Sequence, residues 1–130
     1  MHKVLIIEDE DNIREVYKEE LESSGFVVRA CSTGQQGLDI FFQEDFDLVL
    51  LDLVLPDISG LYILEKIKKD SVKKTVSVVI LSNLDQDIIV RQGLKLGAET
   101  YLQKVANTPD VIVDKIKGIL EKVSAKKNFK

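Results

Sequence analysis

One cysteine, Cys31, is all the sequence contains, so no internal disulfide can form and a disulfide-stapled secreted scaffold is excluded. Lying in a strand-like stretch, Cys31 reads as a small core or boundary residue. No apolar stretch approaches the roughly 20 residues of a membrane span, and Met1-His2-Lys3 leads into acids after only a short apolar run. A secretory leader is therefore not expected, and the expected location is the cytoplasm. Basic charge is also short: 18 Lys and Arg against 22 Asp and Glu give a net charge of −4, which argues against direct nucleic-acid binding. The basic end, Lys126-Lys127-Asn128-Phe129-Lys130, is too short to reverse that and reads as a solvated tail. No glycine-rich loop ends in Gly-Lys-Ser/Thr, so P-loop nucleotide chemistry is excluded.

What remains is an ordinary globular composition, 45% hydrophobic and 31% charged over 130 residues. A chain of this length buries roughly two-thirds of its unfolded surface, enough for one α/β core. Strand-like apolar runs alternate with segments of helical period. Val4–Ile7 is followed by Asp11–Ser23, where Ile13, Val16, Tyr17 and Leu21 recur at spacings of three and four before Gly25. Phe26–Ala30 reads as a second strand, and Ser32 or Thr33 as the N-cap of a helix carrying Leu38, Phe41 and Phe42. Phe46–Leu51 lacks polar alternation, as in a central parallel strand covered on both faces. Pro56 and Gly60 bracket a loop into a helix with Leu61, Leu64 and Ile67, followed by a polar connection over Lys68–Lys74. Val76–Leu81, a helix over Asp85–Leu96 stopped by Gly97, and Thr100–Gln103 come next. Pro109 then opens a last helix with an apolar stripe of Ile112, Ile116, Ile119, Leu120 and Val123. The reading is α/β, (βα)5, with a single domain over 1–123 and a short tail over 124–130.

Four of the apolar runs stop on polar residues of different kinds: Glu8-Asp9, Asp52, Ser82 and Lys104. Parallel strands would line these up on one sheet edge, where open α/β sheets bind ligands. Three gathered carboxylates repel one another unless protonated or bridged, and magnesium suits one or two carboxylates, waters and a phosphoryl oxygen. Glu8 and Asp9 taken alone can equally be acids at a helix N-terminus, favoured by its dipole. Lys104 taken alone can be an ordinary exposed lysine, and Ser82 a capping hydroxyl. Asp52, ending the most apolar strand, has no such capping role.

The ordered set Glu8-Asp9, Asp52-Leu53-Val54-Leu55-Pro56-Asp57-Ile58-Ser59-Gly60, Ser82 and Gly97-Ala98-Glu99-Thr100-Tyr101-Leu102-Gln103-Lys104 resembles the receiver domain of bacterial two-component response regulators, over residues 3 to about 123. The resemblance implies a doubly wound, flavodoxin-like parallel sheet of strand order 2-1-3-4-5. It implies that Asp52 accepts a phosphoryl group from a sensor histidine kinase or a histidine phosphotransfer protein. It further implies that Asp9 binds Mg2+ directly, Glu8 binds it through water, and the Val54 carbonyl and Asp52 complete the protein's share. Lys104 would pair with the carboxylate and then with the phosphoryl group, while Ser82 and Tyr101 would be the switch hydroxyl and switch aromatic. The expected product is a signalling switch rather than an enzyme. It would be read through the surface of helix 4, strand 5 and helix 5 by a downstream protein or output domain, or by a phosphorylation-dependent homodimer.

Three positions depart from the family pattern. Val105 follows Lys104 where a cis proline is usual, Asn83 follows the switch hydroxyl where a smaller residue is usual, and Ser82 replaces the commoner threonine. Val54 and Leu84, two residues after Asp52 and Ser82, are apolar and offer no hydrogen bond to a hydrolytic water, which favours a long-lived acyl phosphate. A flavodoxin is disfavoured because Glu8-Asp9-Glu10-Asp11 would repel a phosphate, and a haloacid-dehalogenase phosphatase because Val54 stands where its second acid belongs. The remaining alternative is a pseudo-receiver, a protein-binding module that keeps the fold without the chemistry.

Overall fold

In a computed structural model the chain is described over residues 2–83, 86–104 and 108–128, the last six of these for backbone only. Five strands, β1 (Lys3–Ile7), β2 (Val27–Cys31), β3 (Leu48–Asp52), β4 (Ser77–Ser82) and β5 (Thr100–Gln103), form one parallel sheet in the order β2-β1-β3-β4-β5. Five helices follow them in turn: α1 (Asp11–Ser23), α2 (Gly34–Gln43), α3 (Gly60–Lys69), α4 (Asp87–Leu96) and α5 (Pro109–Asn128). This is the expected doubly wound, flavodoxin-like α/β fold. No helix among the described residues is long and apolar enough to cross a membrane.

The pleat of the central strands divides the core in two. Val4, Ile6, Leu48, Leu50, Val79 and Leu81 point to one face, where Tyr17 and Leu21 of α1 meet Ile112, Ile116 and Leu120 of α5. Leu5, Ile7, Val49, Leu51, Val78 and Ile80 point to the other, beneath Phe41 of α2, Ile63, Leu64 and Ile67 of α3 and Val90 of α4. Each of β1, β3 and β4 is thus buried on both sides, which explains their unbroken apolar runs. Thr33 is the cap of α2, its hydroxyl accepting from Gln36 N–H at 3.2 Å, and Ser59 caps α3 by accepting from Leu61 N–H at 3.1 Å. Gly97 takes φ = +114° to end α4, a conformation open to glycine at little cost.

Several boundaries move from their sequence positions. β2, β3 and β4 begin and end one or two residues later than their apolar runs, so Cys31, Asp52 and Ser82 are ladder residues rather than the first residues beyond. The reason is that a ladder pairs backbone groups regardless of side chain: Asp52 sits in register with Leu81. Phe46, expected in β3, precedes the ladder, and its ring stacks on Phe41 at 6.4 Å between centroids. α4 is described from Asp87, with Asp85 outside the described residues. In α5 Val113 joins the buried stripe and Ile119 is half-buried, while the Val123 side chain lies outside the described set. The same helix continues through Asn128, so the backbone of residues 124–128 is helical.

Gly60 locks the start of α3 against the end of β3. Its N–H donates to the Leu53 carbonyl at 2.9 Å, and a Cβ there would stand 2.5 Å from both the Asp52 carbonyl oxygen and Leu53 Cα. Backbone on both sides cannot yield as a side-chain tip can. Gly60→Ala is therefore expected to cost about 3 kcal/mol of stability, measured by equilibrium unfolding in urea; unchanged stability would contradict this packing.

Candidate functional site

The fold delivers Glu8, Asp9, Asp52 and Lys104 to one crevice at the carboxyl edge of the sheet. Glu8 leaves β1 buried, its N–H donating to the Cys31 carbonyl at 3.2 Å, while Asp9 turns out to solvent. Asp52, buried at the end of β3, accepts through Oδ1 from Val54 N–H at 3.0 Å and through Oδ2 from the Lys104 ammonium at 3.0 Å. The same ammonium donates to Glu8 Oε1 at 2.9 Å and lies 3.5 Å from Glu10 Oε1. Lys104 is held there by its own backbone, whose N–H donates to the Ser82 carbonyl at 2.9 Å, and its side chain is only 4% exposed.

Charge at this point is unbalanced. One lysine faces the buried pair Glu8 and Asp52, with Asp9 beside them. Burial first, and then the neighbouring Asp52 charge, push the Glu8 carboxyl up to about 8 despite its bond to Lys104. Burial alone would lower the Lys104 ammonium, but the hydrogen bonds and charges of Glu8 and Asp52 outweigh it and hold the group above its ordinary range. Tyr17, buried under the crevice, is pushed up to about 12 by burial and by the Glu8 charge.

A hard divalent cation fits the donors. Oxygens of Glu8, Asp9 and Asp52 lie within 4.8 Å of one another, and Glu8 Oε2 is buried without a hydrogen-bond partner among the described residues. A buried carboxylate oxygen left unpaired is costly, and a proton or a metal-bound water would satisfy it. Oxygen-only donors suit Mg2+, which commonly keeps several waters.

The other expected residues fall around this crevice. Ser82 is buried at the end of β4, one step beyond Leu81, the register partner of Asp52. Val54 is 51% exposed at the mouth. Tyr101, on β5, is 43% exposed and borders a groove of about 600 Å3 between that strand and Lys115, Gly118, Ile119 and Lys122 of α5. Leu84 and Val105 lie outside the described residues. Cys31 is a buried core residue whose thiol burial pushes up to about 11, consistent with an inert role.

Arg14 was not among the expected site residues. Its Nη1 donates to the Glu8 carbonyl at 2.9 Å and more weakly to the Asp9 carbonyl at 3.5 Å, while Nη2 pairs with Asp11. A lone cation within an acidic run, Glu8 to Glu15, was a legible signal for such a clamp.

A parallel sheet of this order, with acids, a hydroxyl and a lysine on its carboxyl edge, defines the receiver class of signalling domains. The sequence profile of the response regulator receiver domain matches residues 4–117, and the chain belongs to that family, whose members are two-component signalling switches. It is 37% identical over 119 residues to the transcriptional regulatory protein CseB of Streptomyces coelicolor, covering 92% of this chain and 49% of that protein. It is 33% identical over 122 residues to a probable transcriptional regulator ycf27 of Guillardia theta, covering 94% and 46%. The chain thus spans about half the length of these relatives. Among solved structures, a CheY-like response regulator receiver domain protein from Methanospirillum hungatei JF-1 superimposes with a TM-score of 0.84 at 28% identity, over 97% of this chain and 98% of that one.

Proposed function

We propose that this domain receives a phosphoryl group on Asp52 from the phosphohistidine of a sensor kinase or histidine phosphotransfer protein, in a Mg2+-dependent reaction. The observation that carries the reading is the Lys104 ammonium shared between Glu8 and Asp52 beside an unsatisfied Glu8 oxygen. A carboxylate oxygen of Asp52 attacks phosphorus, the new O–P bond forms as the P–N bond to imidazole breaks, and the acyl phosphate remains on the domain. Lys104, already in contact with Asp52 Oδ2, pairs with the incoming phosphoryl oxygens, while Val54 N–H holds Oδ1 and fixes the carboxylate plane. Asp9, Glu8, Asp52 and the Val54 carbonyl are the proposed Mg2+ donors, Glu8 through water. Bound there, the ion supplies positive charge against the acids and the phosphoryl oxygens.

The negative charge of the domain, −4, supports a role without direct nucleic-acid contact. Its output is a protein surface, that of α4, β5 and α5, read by a downstream partner, by an output domain or by a second copy of the chain. Phosphorylation replaces the single charge of the Asp52 carboxylate with a phosphoryl group carrying nearly two and adds new acceptor oxygens, and Ser82 moves toward them. The outward Tyr101 ring then turns in to fill the vacated space, altering the groove beside α5. With a phosphoryl mimic and Mg2+, NMR shifts are expected to run from Asp52 through Ser82 to Tyr101; shifts confined to the crevice would reduce the domain to a phosphate carrier. Mass spectrometry after a small phosphodonor, with and without Mg2+, tests the chemistry. Label on Asp52 only with the metal supports it, and no label in either condition would leave a phosphorylation-independent binding module.

A further inference from the structure

The loop from β3 to α3 carries Val54, a proposed Mg2+ donor, and besides the Val54 N–H bond to Asp52 two contacts tie it down. One is the Gly60 N–H to Leu53 carbonyl bond at its base. The other comes from a different part of the fold. The Asp57 carboxylate accepts from Gly34 N–H through Oδ1 at 2.8 Å and from Gln35 N–H through Oδ2 at 2.9 Å, the first two residues of α2. Four N–H groups are left unpaired at a helix start. The next of these, Gln36 N–H, is taken by Thr33, so the donors of α2 are divided between its own cap and the loop of another element.

The packing is as close as the hydrogen bonding. A Cβ on Gly34 would come within 2.5 Å of Ile58 Cγ1, 3.0 Å of Ile63 Cδ1 and 3.2 Å of Asp57 Oδ1. Glycine at 34 thus lets the loop lie directly against the start of α2. The two N–H bonds, Gln35 first, hold the Asp57 carboxyl below its ordinary range. An exposed aspartate on this loop could be solvated; it is instead committed to two backbone donors more than twenty residues away.

We infer that Asp57 is a positioning residue for the metal site: by docking the β3–α3 loop on the N-terminus of α2 it holds the Val54 backbone in the arrangement that binds Mg2+ together with Asp9 and Asp52. The inference rests on the proposed Mg2+-dependent reading of the site. Residues that orient metal donors from outside commonly change affinity by about 10- to 100-fold when removed. In calorimetric Mg2+ titrations, Asp57→Ala is expected to weaken binding by about tenfold. Asp57→Asn, whose single carbonyl oxygen can accept from only one of the two N–H groups, should restore part of it. Thr33→Ala removes a cap of the same helix without touching the loop, so it should lower the melting temperature while binding Mg2+ like wild type. NMR of the metal-free proteins should move the Val54 amide in Asp57→Ala and not in Thr33→Ala. Wild-type affinity in Asp57→Ala, or equal weakening by Thr33→Ala, overturns the positioning role and leaves the reading of the site intact. Failure of the wild-type protein to bind Mg2+ overturns both.

Discussion

Asp52→Asn is expected to abolish phosphoryl incorporation and, in the same protein, to flatten the pH dependence of stability between about pH 4.5 and 8. The first effect follows because an amide is no nucleophile toward phosphorus, and among the described residues no other buried carboxylate is presented as Asp52 is, paired through one oxygen with Lys104 and through the other with Val54 N–H. The second follows from Glu8. Its carboxyl is raised from 4.5 to about 8, by burial first and the Asp52 charge next. A raised carboxyl contributes stability that is full below the unfolded value of 4.5 and is lost as pH rises through about 8. Mg2+-free wild-type protein should therefore lose stability across that interval, and Mg2+ should oppose the loss by taking the place of the proton. Without the Asp52 charge, burial alone raises Glu8, so both the pH slope and the stabilisation by Mg2+ shrink. Thermal unfolding at pH 5, 7 and 9 with and without Mg2+ reads all of this, and label on the Asn protein, or an unchanged slope, would contradict it.

The second large effect is expected from Lys104→Met. The ammonium is the only cation within ion-pairing distance of both buried acids among the described residues, at 2.9 Å from Glu8 and 3.0 Å from Asp52. Removing one partner of a buried ion pair costs about 3–5 kcal/mol because the other charges stay buried. At pH 8 and without metal the loss should reach the lower end of that range, about 3 kcal/mol. It should grow as pH rises beyond about 8, because Glu8 ionises there beside the lysine but without it must stay protonated. Added Mg2+ should recover part of it at the higher pH. Phosphoryl uptake should fall steeply even when the metal is saturating, since the phosphoryl oxygens lose their charged partner. A loss of stability independent of pH would mean that the methylene stem of Lys104, rather than its charge, holds the crevice together.

The alternation of apolar runs with helical periods was enough to specify ten elements, the buried central strands and the edge on which the polar residues gather, because burial on both faces of a parallel sheet leaves an unbroken apolar signature. α1 and β5 fall where periodicity and the flanking glycines put them. Strand ends were less legible, since ladder pairing is indifferent to side chains and carries Asp52 and Ser82 inside the sheet. The acids and the lysine were readable as candidates because each ends an apolar run that parallel pairing would bring to one sheet edge. Their pairing was decided only in three dimensions. Nothing local to Lys104 distinguishes a solvated lysine from one nearly buried between Glu8 and Asp52, 96 and 52 residues earlier in the chain. The Arg14 clamp on the acid loop and the reach of Asp57 to Gly34 and Gln35 belong to the same category. Local sequence sets which groups a segment carries, whereas the desolvation and charge balance that give those groups their chemistry arise only when distant strands place them in one crevice.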